Sequence, residues 1–92
     1  MSLKKTNRKK LKVEIYSKPD CHLCDEAKSV LLKVQKEIPF EYCEINISND
    51  LKLFDEFKEQ IPVIFINEKK AFKFRVSSED LRKKLLFFMQ VN

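Results

Sequence analysis

The stretch that decides the fold runs from residue 13 to residue 28 and reads VEIYSKPDCHLCDEAK. Its first four residues form a β-prone run, which predicts strand one, and Pro19 and Asp20 break that run. From Cys21 onward the apolar residues follow helical spacing, at Leu23, Ala27, Val30, Leu31 and Val34. A strand, a turn and a helix therefore follow one another, with Cys21 and Cys24 where the helix begins.

The other elements follow from the same patterns. The first helix is predicted to begin after an Asp20 N-cap and to end near Glu37, before Pro39. The predicted later elements are strand two at 40–47, a short helix at 51–57, strand three at 62–66, strand four through Phe72, Phe74 and Val76, and a last helix after Ser77. Ser77 and Asp80 stand at capping-box spacing, and the apolar side of that helix is Leu81, Leu85, Phe88 and Met89.

The element order β-α-β-α-β-β-α predicts an α/β domain. A right-handed crossover makes strands one and two parallel neighbours, and a hairpin makes the last two strands antiparallel. We therefore expect a four-stranded mixed sheet flanked by helices on both faces. The chain has no glycine, so its turns must use Asn, Asp, Ser, Pro or Lys.

Charge divides the chain into a tail and a body. Residues 1–12 hold six basic residues and no acid, whereas residues 13–92 hold thirteen basic and fourteen acidic residues. We interpret 1–11 as a basic, flexible tail and 12–92 as the single domain. The near-neutral body predicts no nucleic-acid partner, and the absence of a long apolar segment predicts no membrane span.

The Cys-x-x-Cys stretch has the setting of a redox dithiol. At a helix N-terminus, free N–H groups and the helix dipole stabilise a thiolate, so Cys21 is the predicted nucleophile. Cys24, one turn further, lies within disulfide reach and is predicted to be the more buried, resolving thiol. Lys18 and His22 add positive potential there, which nearby acidic side chains oppose.

Other readings of these residues remain open. Both cysteines of the pair could be inert packing thiols, and a zinc site could use Cys21, His22, Cys24 and Cys43, although His22 is expected to point away from the pair. Cys43 in strand two is interpreted as a small core residue rather than a redox group. Local sequence favours a trans bond before Pro62, while a cis bond is compatible. We expect no metal ligands.

The segment from Lys18 to Lys28, KPDCHLCDEAK, followed by Ile61-Pro62-Val63, resembles the glutaredoxin family, and more closely a small glutaredoxin-like subfamily. The resemblance covers roughly residues 11–88. It implies a thioredoxin fold, Cys21 as nucleophile, Cys24 as resolving thiol, and a cis Pro62 facing them. It also implies that Lys18 contacts the glycyl carboxylate of glutathione and that the Val63 backbone pairs with its cysteinyl part.

The chain also departs from the glutaredoxin pattern. Glutaredoxins usually carry Pro-Tyr between the cysteines, where this chain has His22 and Leu23. They place two glycines before the last helix, followed by a polar pair that holds the γ-glutamyl end. Here Val76 and Ser77 stand at the glycines, Ser77 and Ser78 supply the polar groups, and branched Val76 resists positive φ. We therefore expect weak use of glutathione as a co-substrate.

These patterns together predict a thiol–disulfide oxidoreductase that acts on protein or glutathione mixed disulfides. Its predicted substrate contacts are Lys18, His22, Ile61, Pro62, Val63, Ser77 and Ser78. We expect a monomer with no tightly bound cofactor. We also expect an intracellular reducing compartment, the cytoplasm first and the mitochondrion as an alternative. The rival hypotheses are a non-catalytic peptide-binding module of the same fold and a metal or iron–sulfur carrier.

Overall fold

The computed structural model describes residues 11–90, whose elements follow in the predicted order. They are β1 (Lys12–Ser17), α1 (His22–Gln35), β2 (Glu41–Asn46), a 3-10 turn (Ile47–Asn49), α2 (Leu51–Phe57), β3 (Val63–Ile66), β4 (Lys69–Lys73) and α3 (Ser78–Gln90). Residues 1–10 of the predicted tail lie outside the described residues.

The four strands form one mixed sheet in the spatial order β2-β1-β3-β4. β1 is parallel to β2, and β3 is antiparallel to both β1 and β4. The predicted fold class is confirmed, including the parallel first pair and the closing hairpin. Because β1 is central, the turn after it brings the two cysteines to the middle of one end of the sheet.

The sheet buries a different cluster on each face, because strand side chains alternate. Val13 and Ile15 of β1 pack with α1 and α3, whereas the neighbouring Tyr16 packs on the opposite face with α2. The cluster under α1 and α3 is the larger one. Its fully buried members include Leu31, Val34, Leu81 and Leu85, the predicted stripes of the two long helices.

The body begins one residue earlier than predicted. Leu11, assigned to the tail, is 1% exposed and belongs to the core under α1 and α3. Its carbonyl oxygen accepts a hydrogen bond from the N–H of Glu41 at 2.8 Å, which starts the β1–β2 pairing. The charge pattern groups Leu11 with the neighbouring lysines, but its burial depends on packing against α1 and α3.

The predicted fourth strand is too long. β4 ends at Lys73 because Phe74 takes a φ of 70° and turns the chain, so Phe74 and Val76 do not continue the alternation. Asn67 and Glu68 also have positive φ, at 51° and 70°, and form the two-residue β3–β4 turn. Without glycine, the chain places Glu68 and Phe74 at turn positions where we expected only Asn, Asp, Ser, Pro or Lys.

Candidate functional site

Cys21 and Cys24 are joined as a disulfide at the start of α1, with their Cα atoms 5.2 Å apart. Cys21 is the N-cap, and its Sγ accepts a hydrogen bond from the Cys24 N–H at 3.2 Å. The prediction of Asp20 as the N-cap is wrong. Asp20 lies in the preceding turn with a φ of 59°, and the N-cap is the next residue, Cys21, whose backbone is extended. The nucleophile predicted from sequence thus occupies the site where a helix end stabilises an anion.

The two sulfur groups differ in burial. Cys24 is fully buried and belongs to the cluster under α2, whereas Cys21 is half-buried at its edge. This is the predicted division between an accessible sulfur and a shielded one. A reagent in solution can therefore reach Cys21 without unfolding of the helix. Cys24 is shielded from solvent and contacts the Cys21 sulfur inside the protein.

Pro62 stands between two residues of the buried cluster that holds the dithiol, and we call it the proline wall. The Ile61–Pro62 peptide bond is cis, and Pro62 is fully buried. Val63 follows inside the sheet, between Tyr16 of β1 and Lys73 of β4. Ile61 lies just outside the strand, and neither its N–H nor its C=O hydrogen-bonds to another described residue. The main chain without a hydrogen-bond partner here is therefore that of Ile61, which is 8% exposed, rather than that of Val63.

Three uncharged aromatic rings pack together on the sheet face that α2 covers. The ring of Tyr16 lies 4.9 Å from that of Phe57 and 5.1 Å from that of Phe65 between centroids. Burial, followed by the Glu14 carboxylate, raises the pKa of Tyr16. The phenol stays neutral at physiological pH, so the cluster that holds Cys24 carries no charge from this ring.

The helix that carries the dithiol is tied to β2 by polar contacts. Lys28 Nζ lies 2.8 Å from Glu44 Oε2, and the Ser17 hydroxyl donates to the same oxygen at 3.3 Å. The hydrogen bond to Glu44 raises the pKa of Lys28, so the ammonium group stays charged. The Lys28 contact joins α1 to β2, and the Ser17 contact joins β1 to β2.

A groove of about 360 Å³ lies between α1 and the start of α3. Its lining residues are Leu23, Glu26, Ala27, Val30, Phe74, Arg75, Val76, Ser77 and Asp80. The main chain of Phe74 connects it to the proline wall, because its N–H donates to the Pro62 carbonyl oxygen at 2.8 Å. Ser77 Oγ accepts from the Asp80 N–H at 3.0 Å, as its predicted capping role requires, and Ser78 is half-buried in the first turn.

The charged residues predicted at the site are exposed. Glu26 lies between His22 and Arg75, with Oε2 3.4 Å from His22 Nε2 and Oε1 3.9 Å from Arg75 Nη1. The His22 side chain is 89% exposed and lies beside Glu26, one turn further along the surface of α1. Lys18 is exposed and has no hydrogen-bond or ion-pair partner within residues 11–90.

Cys43 is exposed, so its interpretation as a core residue is wrong. Cys43 lies on the edge strand β2, where it pairs with Glu14 of β1 on the sheet face that α2 covers. α2 has only seven residues and packs over the centre of that face, which leaves Cys43 outside its cover. In the described part of the chain, no three His, Cys, Asp or Glu side chains stand together as metal ligands.

Residues 12–86 match the model of the family described as Glutaredoxin-like domain (DUF836). The chain belongs to this family. The match spans the dithiol, the proline wall and most of α3, so the motifs quoted from the sequence lie inside it. A C-x-x-C motif at a helix N-terminus, as in this chain, is a known redox arrangement.

Relatives place the family within a wider fold. The glutaredoxin-like protein YDR286C homolog of Dictyostelium discoideum is 31% identical over 81 residues, covering 82% of this chain and 75% of that protein. Protein Ne2328 of Nitrosomonas europaea superposes with a TM-score of 0.70 at 27% identity, over 82% of this chain and 91% of that one. Fasciola hepatica thioredoxin gives 0.65 at 17% identity, over 95% and 88%. The fold is the thioredoxin fold.

Two groove residues were not expected from the sequence. Phe74 was assigned to a strand and Arg75 to no role, yet both line the groove beside the dithiol. No local signal marks Phe74 as a turn residue, since a bulky side chain rarely takes positive φ.

Among the described residues, no helix is both long and apolar enough to cross a membrane.

Proposed function

We propose that this protein is a thiol–disulfide oxidoreductase that reduces protein or glutathione mixed disulfides. The observation that carries the proposal is the placement of Cys21 as N-cap of α1, half-buried, above a fully buried Cys24 within disulfide distance. A reactive and a resolving thiol need this difference in access. Family membership supports the same chemistry.

The reaction proceeds by two thiol–disulfide exchanges. The Cys21 thiolate attacks one sulfur of the substrate disulfide, and the other sulfur leaves as a thiolate that takes up a proton. Cys24 then loses its proton and attacks Cys21 Sγ, which releases the second substrate thiol. The substrate gains two electrons and the Cys21–Cys24 disulfide forms. Two equivalents of an external thiol then reduce this disulfide to the dithiol and are themselves oxidised to a disulfide.

Substrate is held beside this pair by main chain and charge. The unpaired N–H and C=O of Ile61 can hydrogen-bond to an extended segment around the substrate disulfide. Lys18 supplies a positive charge for a substrate carboxylate, and Ser77 lines the groove between α1 and α3, with Ser78 next to it in the chain. Because Val76 narrows the groove there, we propose that glutathione is a poor co-substrate. The expected setting is a reducing compartment, the cytoplasm first.

Three single-cysteine variants test the proposal. With insulin and with a glutathionylated peptide as substrates, we expect Cys21→Ser to abolish reduction and Cys24→Ser to accumulate a mixed disulfide on Cys21. Cys43→Ser is the matched control, since it removes an exposed thiol outside the site, and we expect full activity. Reduction that survives Cys21→Ser, or none by the unmodified protein, would refute the proposal.

A peptide-binding module without catalysis is the second candidate, and the unpaired main chain of Ile61 favours it. Such a module would bind an extended peptide equally well in the reduced protein and in a Cys21→Ser/Cys24→Ser variant. It would show no disulfide reduction in the assays above.

A further inference from the structure

The charge of the body is strongly uneven. Residues 69–84 hold seven basic and two acidic side chains, whereas residues 11–68 hold seven basic and twelve acidic ones. The near-zero net charge of the body therefore hides a positive end, built from β4 and the first half of α3. This end is separate in sequence from the basic tail.

The positive end includes an open edge of the sheet. β4 is the last strand in the order β2-β1-β3-β4 and pairs only with β3 among the described residues. Its outward main-chain groups can therefore pair with an added strand. The opposite edge, β2, carries Glu41 and Glu44 instead of lysines. β4 itself carries three lysines, at positions 69, 70 and 73, and therefore suits an acidic chain.

A groove of about 420 Å³ runs beside β4 on the α3 side. Phe72, Asp80, Lys83, Lys84 and Phe87 line it, and Phe87 is 57% exposed. We call β4 together with this groove the β4 edge surface. It combines an open strand, an apolar ring and several ammonium groups, with Asp80 as its acidic member.

Most of its lysines have no carboxylate partner. Lys69, Lys73 and Lys84 form no ion pair with residues 11–90, whereas Lys83 lies 3.6 Å from Glu79. Instead, Lys73 and Lys84 lie over the rings of Phe74 and Phe72, at 5.5 Å and 5.9 Å from the centroids. Their positive charge lies at the surface and is not neutralised by a carboxylate, so an acidic partner would form ion pairs with it.

We propose that the β4 edge surface binds an acidic, extended segment of a partner protein, which adds to the sheet beside β4. Main-chain hydrogen bonds would supply affinity, and the lysines would select acidic side chains. Nucleic acid fits less well, because base stacking needs free ring faces. Here lysines cover Phe72 and Phe74, and Phe87 packs edge-on against Phe88 at 5.8 Å.

The surface is continuous with the dithiol site. Lys73 stands opposite Val63, which packs in the same cluster as Cys24, and the next residue, Phe74, hydrogen-bonds to Pro62. A segment on β4 therefore ends beside the proline wall. That such a partner is also a substrate rests on the proposed function, whereas the docking itself needs neither cysteine.

Fluorescence anisotropy tests the docking on the full-length protein. The probe is a labelled peptide that alternates Glu and Thr, compared with the same peptide carrying Gln for Glu. We expect Lys69→Gln/Lys73→Gln/Lys84→Gln to weaken binding of the acidic peptide by about tenfold, as three surface charge pairs allow. The control, Lys33→Gln/Lys36→Gln/Lys52→Gln, removes three exposed charges elsewhere and keeps the basic tail, so we expect little change.

Further measurements separate the outcomes. An acidic peptide N-methylated at alternate residues is expected to bind much more weakly, and equal binding would refute strand addition. Equal weakening by both triple variants would also refute the surface, as would tighter binding of an oligothymidylate that the edge variant loses. Self-association through β4 would assign it to a second copy instead. Because Cys21→Ser/Cys24→Ser is expected to bind normally, a failed reductase assay leaves this result standing.

Discussion

At the residue scale, Cys21 combines two roles that usually fall on different side chains. Its sulfur caps α1 by accepting the Cys24 N–H, and the same sulfur is the accessible member of the pair. A capping group that can ionise is stabilised as an anion by the N–H groups and the dipole of the helix. We therefore expect the reduced Cys21 thiol to have a pKa below that of an ordinary cysteine.

The first prediction concerns alkylation. In the reduced protein near pH 7, we expect iodoacetamide to label Cys21 about tenfold faster than Cys43, because thiolate content sets the rate. Cys24 is expected to react slowest, since it is fully buried. Mass-mapped time courses measure this, with Cys43→Ser as the control that leaves the fast phase intact. Labelling of Cys21 and Cys43 at equal rates would remove the assignment of the nucleophile.

The second prediction concerns Val76 and Ser77 in the groove beside the dithiol. Replacing both by glycine removes the branched side chain, and we expect a several-fold rise in glutathione-dependent reduction of hydroxyethyl disulfide. The stability cost is expected to be modest, about 0.5–1 kcal/mol per glycine. Val76→Ala/Ser77→Ala is the control that trims the side chains without freeing the main chain. No gain in the glycine variant, with the fold intact, would show that another feature limits glutathione.

At the element scale, α3 is clasped to the end of α1. Arg82 donates from Nε to Glu37 Oε1 at 2.6 Å and from Nη2 to Oε2 at 3.0 Å. The hydrogen bonds from Arg82 lower the pKa of Glu37, and the same contacts raise the pKa of Arg82. α1 carries the dithiol and α3 carries part of the groove, so this contact helps to set their separation.

The third prediction follows from the sign of that shift. A carboxylate with a lowered folded-state pKa stabilises the fold above its unfolded pKa, about 4.3, and this contribution is lost as pH falls through the folded-state value. Glu37→Gln is therefore expected to lower Tm by a few degrees at most at pH 7, with the difference vanishing at acidic pH.

Thermal unfolding at several pH values measures this effect. Glu79→Gln is the control, because it breaks an exposed contact within α3, where Lys83 Nζ lies 3.6 Å from Glu79 Oε2. A Glu37→Gln deficit that persists unchanged well below pH 4 would mean that packing, and not the charge, is responsible.

At the scale of the whole molecule, the fourth prediction concerns where the body begins. Deleting residues 1–9 is expected to leave Tm and the labelling rate of Cys21 nearly unchanged, because the described body starts with Leu11. Leu11→Ala in the full chain is expected to cost about 2–5 kcal/mol, as for other buried leucines. Denaturant unfolding of both variants measures the difference. A truncation that costs as much as Leu11→Ala would show that the tail packs on the body.

Much of the fold could be predicted because its signals are local. The helix stripes and the Asp50 cap of α2, which accepts from the N–H groups of Lys52 and Leu53, are each read within a few residues. The same holds for the dithiol, since only two residues separate its cysteines and a helix begins between them. The proline wall needed the family resemblance, because an Ile-Pro bond alone does not indicate cis.

What the sequence by itself determined is therefore the order of elements, the parallel first pair and a dithiol at a helix N-terminus, all properties of short windows or of chain handedness. Tertiary structure alone decided the rest. Cys43 is exposed because α2 is too short to cover β2, and Leu11 is buried because it packs into the core under α1 and α3. Phe74 turns because its N–H is held by the carbonyl of Pro62, twelve residues earlier in the chain. Each depends on packing between distant segments, which no local pattern records.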